Sequence, residues 1–141
     1  MHESIILIVA RHRAHKAQGL PSRKEATMNE LLAMVQATAN ELEDVLHNPA
    51  EYLENMGYDE DEDAMFMWFN DVLDVEIIAG MDKSYRGTKL YVTLGGPTIW
   101  VDTSSHTIEG RWGVDSESWG IYSDVCDMLD DYVSEIAGWE Y

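Results

Sequence analysis

The chain has 141 residues, is 45% hydrophobic and carries a formal net charge of −18. This length allows one domain with a substantial core but not two domains of ordinary size. Five tryptophans and seven tyrosines argue against disorder, because disordered acidic segments contain few aromatic residues. A single cysteine, Cys126, excludes an intramolecular disulfide and a cysteine-based zinc site.

The charge divides the chain into two parts. Residues 1–27 carry five basic and two acidic side chains, whereas residues 28–141 carry four basic and 25 acidic ones. We therefore predict a basic extension over 1–27 and a single acidic domain over 28–141. A domain with so few cations offers no basic patch to phosphates, so we expect no direct binding of nucleic acid. The negative charge of this domain attracts basic protein surfaces instead. The alternative is that the charge serves only to keep the protein soluble.

The basic extension has two interpretations. Codons for residues 23–27 can spell a purine-rich ribosome-binding sequence, so one hypothesis is a mis-annotated start, with translation beginning at Met28. The other is a genuine basic arm, or a short apolar strand at Ile5–Val9 that docks on the domain. Because this apolar run is short and lacks a basic flank, it is neither a signal sequence nor a membrane span. We expect a cytoplasmic protein.

Three helices are predicted before the first strand of the domain. Apolar residues at three- and four-residue spacing predict an amphipathic helix over 29–46. Residues 48–51 then supply an N-cap, a first-turn proline and a capping box for a second helix, which should end at Gly57. Asp63 is placed to cap a third helix, whose apolar residues continue to Leu73.

Period-two alternation is clearest at 88–113, where apolar and polar residues alternate in three runs. The segment 95–97, Gly-Gly-Pro, separates the first two runs, because glycine permits positive φ and proline removes a hydrogen-bond donor. With a further strand at Val75–Ala79 and a turn at Gly80–Gly87, the sequence predicts a four-stranded antiparallel β-meander. Residues 113–120 read as a loop.

Apolar residues between Val125 and Ile136 recur at helical spacing and predict a closing helix that ends at Gly138. The order of elements therefore predicts an α+β fold. N-terminal helices precede the four-stranded antiparallel β-meander, and the C-terminal helix packs on one face of the sheet.

Two groups of carboxylates are the first candidates for binding a partner. Capping needs one or two acids, so the consecutive acids before the third helix exceed that need. On the closing helix, acids at three- and four-residue spacing form one row, about 6 Å apart, which roughly matches the phosphates of a nucleic-acid strand. The two groups are Asp59, Glu60, Asp61, Glu62 and Asp63, and Asp124, Asp127, Asp131 and Glu135.

A pair of aromatic residues is the second candidate. Trp100 alternates with Ile99 and Val101, so it should lie on the opposite sheet face, beside Tyr91. An aromatic pair on an open sheet face is suited to contact with a protein partner. The alternative is that residues 1–10, or the loop that carries Trp119, cover this face.

Patterns for catalysis and metal binding are incomplete. Asp59, Asp61 and Asp63 match the first three ligand positions of an EF-hand, but Ala64 replaces its glycine and Asn70 its glutamate. The histidines have no zinc-binding spacing, and the Gly-Gly-Pro segment joins two strands, unlike a phosphate-binding loop. We therefore predict no enzymatic activity, no catalytic residue, no metal and no cofactor.

The motif LGGPTIWVDT, followed by TIEGRWG and VCDMLDDYVSEI, resembles small acidic proteins of phages and conjugative elements over residues 74–136. Such proteins are similar in character to anti-CRISPR and anti-restriction inhibitors, many of which mimic nucleic acid. The resemblance implies an inhibitor that blocks a basic nucleic-acid-binding site of a host defence complex, either a CRISPR effector or a restriction enzyme. The alternative is a non-enzymatic accessory protein of a phage or conjugative element that binds a protein partner through the aromatic sheet face.

Overall fold

The structure, a computed structural model, describes residues 4–10 and 28–138. It has the α+β fold that the sequence predicts, with six strands and four helices in the described part of the chain. In chain order these elements are β1 Ser4–Ala10, α1 Met28–His47, α2 Pro49–Met56, α3 Ala64–Phe69, β2 Asp74–Gly80, β3 Tyr85–Thr93, β4 Thr98–Asp102, β5 Thr107–Trp112, β6 Asp115–Gly120 and α4 Ser123–Ile136.

All the strands form one antiparallel sheet in the order β1-β2-β3-β4-β5-β6, so each strand pairs with its neighbours in the chain. The prediction of four strands was therefore too low. β6 occupies residues that the sequence assigned to a loop, because Asp-Ser-Glu-Ser lacks the apolar alternation that reveals a half-buried strand. It pairs with β5 through the backbone, after a tight turn in which Gly113 has a φ of 65°.

At the opposite edge of the sheet, β1 pairs with β2 along its whole length, from Ser4 opposite Gly80 to Ala10 opposite Asp74. β1 contains the apolar run Ile5–Val9 that the sequence offered as a docked strand, and a translation start at Met28 stays a prediction. The remaining residues of the predicted extension, 1–3 and 11–27, lie outside the described residues.

Most of the helix boundaries agree with the predicted ones. α2 ends before Gly57, whose φ of 77° lets its N–H reach back to the helix carbonyls. The predicted capping box was wrong, because the Asn48 side chain donates to Asp44 Oδ1 at 3.3 Å and makes no cap bond. α3 stops at Phe69 and does not continue to Leu73, whose N–H donates to a carbonyl of β3.

The core lies between one face of the sheet and the helices. Alternate strand residues point into it, and α1 packs mainly against β5 and β6 while α4 contacts β3. α1 approaches the sheet closely at Gly110, where an added Cβ would lie 2.8 Å from Val35 Cγ2 and 3.0 Å from Leu31 Cδ1. The fully buried core residues include Leu31, Val35, Leu42, Ile77, Leu90, Val101, Ile108, Val125 and Leu129.

Candidate partner-binding surface

The orientation of α4 is set by its apolar residues. Val125, Leu129 and Val133 are almost completely buried, so the helix presents its opposite face to solvent. One carboxylate, Asp130, points inward instead and fixes the helix to the sheet. Its Oδ1 accepts from Tyr85 Oη at 2.6 Å and from a threonine hydroxyl of the turn after β4 at 2.7 Å.

The predicted row of acids runs along the solvent face of α4, and all four of its residues are exposed, as their spacing predicts. A histidine approaches the row, which the sequence did not indicate: His47 Nε2 at the end of α1 lies 3.2 Å from Asp124 Oδ2 and 3.6 Å from Glu43 Oε1. When it is protonated, His47 offsets repulsion at the N-terminal end of the row. We call these four acids the α4 row: Asp124, Asp127, Asp131 and Glu135.

The acids at residues 59–63, which we call the acidic loop, are also all exposed. Asp63 performs the predicted capping: its Oδ1 accepts from the backbone N–H groups of Met65 at 2.9 Å and Phe66 at 3.2 Å. Asp59 Oδ1 makes a long contact with the N–H of Asp61, 3.5 Å away. One acid therefore suffices for the cap, and the other carboxylates of the loop face water.

The acidic loop borders a groove of about 550 Å³. Three carboxylates and one aromatic ring line it, and the C-terminal end of α2 adds the negative end of a helix dipole. The Tyr58 ring is held by a hydrogen bond from its Oη to Asp71 Oδ2 at 3.4 Å. Such a groove suits a cationic side chain. The lining residues are Ala50, Glu54, Gly57, Tyr58, Asp59 and Glu60.

The acidic loop and the α4 row belong to different elements. Phe69, at the end of α3, packs against Tyr132 of α4 with ring centroids 5.0 Å apart. The acidic loop precedes the opposite end of α3. We therefore treat the two groups of acids as separate surfaces.

The sheet face away from the helices carries the predicted aromatic pair. Tyr91 and Trp100 are direct cross-strand partners with ring centroids 5.8 Å apart, and both remain partly exposed. The guanidinium carbon of Arg111 lies 5.9 Å from the centre of the Trp100 ring. Arg111 was not among the predicted site residues, although its alternation with the buried Trp112 places it on this face.

Carboxylates surround the aromatic pair. Asp74 stands beside Tyr91 and Glu109 beside Trp100 in one cross-strand row. Burial, followed by the nearby charge of Glu76, raises the pKa of Tyr91, and the Tyr91 hydroxyl donates a hydrogen bond to the Glu76 side chain. This face combines exposed aromatic surface with negative charge.

No protein-family model, curated protein or solved structure matches this chain. Function therefore has to be inferred from the surfaces themselves. No helix within residues 28–138 is both long enough and apolar enough to cross a membrane.

Two reactive groups outside these surfaces, the Cys126 thiol and the Glu41 carboxyl, are buried or partly buried. Burial raises the pKa of the Cys126 thiol to about 12, so it is not a thiolate nucleophile at neutral pH. Glu41 is a partly buried carboxyl that accepts from Trp68 Nε1 at 2.9 Å, and burial raises its pKa. Among the described residues, no group of three or more His, Cys, Asp or Glu side chains is placed to hold a metal ion.

Proposed function

We propose that this protein is a non-enzymatic inhibitor whose exposed carboxylates occupy the basic nucleic-acid-binding site of a partner protein. The observation that carries the proposal is the α4 row. Four acids share one solvent face of a helix that contains neither lysine nor arginine, although like charges at this spacing destabilise a helix. A regularly spaced line of negative charge is what a channel lined with lysine and arginine binds in nucleic acid.

The acidic loop supports the same proposal from a second surface. Its carboxylates exceed the needs of the α3 cap, and its groove is suited to a lysine or arginine side chain. The charge of the domain, 25 acidic against four basic side chains over residues 28–141, would accelerate association with a basic partner. The resemblance of residues 74–136 to proteins of mobile elements suggests the partner class, a CRISPR effector or a restriction enzyme.

Competition with DNA tests the proposal. A purified CRISPR effector complex and a restriction nuclease, each with a labelled duplex, would be titrated with the protein at two ionic strengths. We expect it to displace the duplex from at least one of them and to lose potency steeply as salt rises.

Two variants identify the surface responsible. D127N/E135Q neutralises two of the four acids of the α4 row and keeps Asp124, which contacts His47. D59N/E60Q/D61N/E62Q neutralises the acidic loop but keeps the capping Asp63. We expect at least one variant to lose about tenfold in potency, while unfolding curves check that both fold. Undiminished competition by both variants would rule out the carboxylates as the inhibitory surface.

The aromatic sheet face favours a second candidate function, an accessory protein that binds its partner through Tyr91 and Trp100. Their partial exposure supports it, because aromatic residues dominate many protein interfaces. Trp100→Ala should then weaken partner binding by about 2 kcal/mol or more, with little dependence on salt. Binding that W100A leaves intact, but that salt abolishes, favours the carboxylate surfaces instead.

A further inference from the structure

β6 is the last strand of the sheet and has one neighbour. Its six residues pair with β5 in unbroken register, from Trp112 opposite Asp115 to Thr107 opposite Gly120. In the described part of the chain no strand pairs with its outer side. Half of the backbone N–H and C=O groups of such an edge point away from the sheet and can pair with another extended chain.

Some of the devices that block pairing at an edge are missing from β6, although Asp115 and Glu117 are inward-pointing charges, which are another such device. The strand Asp-Ser-Glu-Ser-Trp-Gly contains no proline and no lysine, and its pairing with β5 has no bulge. Large apolar side chains are exposed beside it: Val114 is fully exposed, Tyr122 is 73% exposed and Trp119 is 43% exposed. An edge with exposed apolar anchors is suited to strand addition, in which backbone bonds supply affinity and side-chain contacts supply specificity.

Charge determines which strand can pair there. Asp115, Glu117 and Trp119 alternate along β6 and share the face of Trp112 and Ile108. An added strand places its own alternate side chains beside these three, so cations are favoured next to the two acids and an apolar residue next to the tryptophan. A second copy of this acidic chain would bring like charge to the edge and is disfavoured.

We propose that the outer edge of β6 binds an extended basic segment of a partner protein by strand addition. The segment carries lysine or arginine at two alternate positions and an apolar residue two positions further along. Its backbone pairs with β6, its cations lie beside Asp115 and Glu117, and its apolar residue packs on Trp119. This binding site is separate from the α4 row and the acidic loop.

A synthetic peptide tests the inference directly. In the probe, arginine alternates with threonine and a leucine stands two positions from the last arginine. We expect a fluorescently labelled probe to bind the full chain in anisotropy titrations. Hydrogen exchange should slow at the outward-pointing amides of residues 115–120 when the peptide is bound. Glu117→Lys should weaken binding about tenfold, as expected for replacing an attractive cross-strand pair with a repulsive one.

Two controls separate strand addition from simple charge attraction. A peptide with the same side chains but N-methyl groups on alternate amides keeps the charge and cannot complete the backbone ladder, so it should lose most of the affinity. E117Q tests the charge with a smaller change if E117K unfolds. D127N/E135Q alters the α4 row but not β6, so it should bind the peptide as the parent chain does. The peptide result can therefore be interpreted even if the proposed inhibitory function proves wrong.

Several results would overturn the inference. One is equal binding of the N-methylated and unmodified peptides, which would reduce the interaction to charge. Another is slowed exchange on an element other than β6. Absence of binding at peptide concentrations on the order of 1 mM, the weak end of the affinity scale, would equally reject it.

Discussion

Neutralising part of the α4 row should make the protein more stable while it weakens the proposed function. The row contains three like-charge pairs at three- or four-residue spacing, 124–127, 127–131 and 131–135. D127N/E135Q removes all three pairs, and it leaves Asp124 with its His47 contact in place. Asparagine and glutamine have helix propensities close to those of the acids they replace, so the change isolates charge.

The expected gain follows from the geometry. Each like-charge pair costs about 0.2–0.5 kcal/mol, so removing three gives about 0.6–1.5 kcal/mol. Glu135 also lies in the last turn of α4, where a negative charge opposes the helix dipole at a cost of about 0.3–1 kcal/mol at low ionic strength. We therefore expect the free energy of unfolding to rise by roughly 1–2.5 kcal/mol in dilute buffer.

Urea unfolding followed by tryptophan fluorescence measures this gain. The experiment is run in dilute buffer and again at about 1 M salt, where the Debye length falls to about 3 Å and the gain should largely disappear. D127E/E135D, which keeps the charges, is the matched control and should resemble the parent chain. A D127N/E135Q variant no more stable than the parent in dilute buffer would show that the row carries no repulsive cost.

Three further predictions concern the core. Gly110→Ala should destabilise the fold by about 1–3 kcal/mol through overpacking, and Val35→Ala in the same chain should recover part of this loss in a double-mutant cycle followed by urea unfolding. Burial raises the pKa of Glu41 and Asp130, so the folded state binds protons more tightly than the unfolded chain does. Stability should therefore rise as pH falls from neutral towards the ordinary pKa values of these groups, 4.5 and 3.8, and less steeply in E41Q/D130N. Cys126 should react with a thiol reagent only as fast as the protein unfolds, and rapid labelling of the native protein would contradict its burial.

The sequence predicts those parts of the fold in which periodicity and burial coincide. Ile99, Val101 and Ile108 alternate with polar neighbours, and all three are buried as that alternation requires. β6 has no such pattern, because Asp115 and Glu117 occupy positions that face the helices, while Ser116 and Ser118 are exposed on the other face. Side-chain periodicity carries no information about a strand of this kind.

The candidate surfaces were likewise predictable only where side-chain periodicity coincides with burial. The buried residues of α4 determine which side of the helix faces solvent. The exposure of the α4 row could therefore be predicted from the three- and four-residue spacing of its acids alone. The approach of His47 to Asp124 could not, because it depends on how α1 and α4 pack against each other. The end of α3 likewise depends on a distant group, the Tyr91 carbonyl that accepts from the N–H of Leu73.

The packing of α1 on β5 and β6 also constrains how the chain acquires its structure during synthesis. Each strand from β2 to β5 pairs with the next strand across a short turn, so these hairpins can form as they leave the ribosome. The apolar stripe of α1, by contrast, is made early and finds its sheet partner only after residues 107–120 have been translated. Throughout that interval Leu31 and Val35 lack their contact with Gly110, and the apolar stripe of α1 has no sheet to pack against.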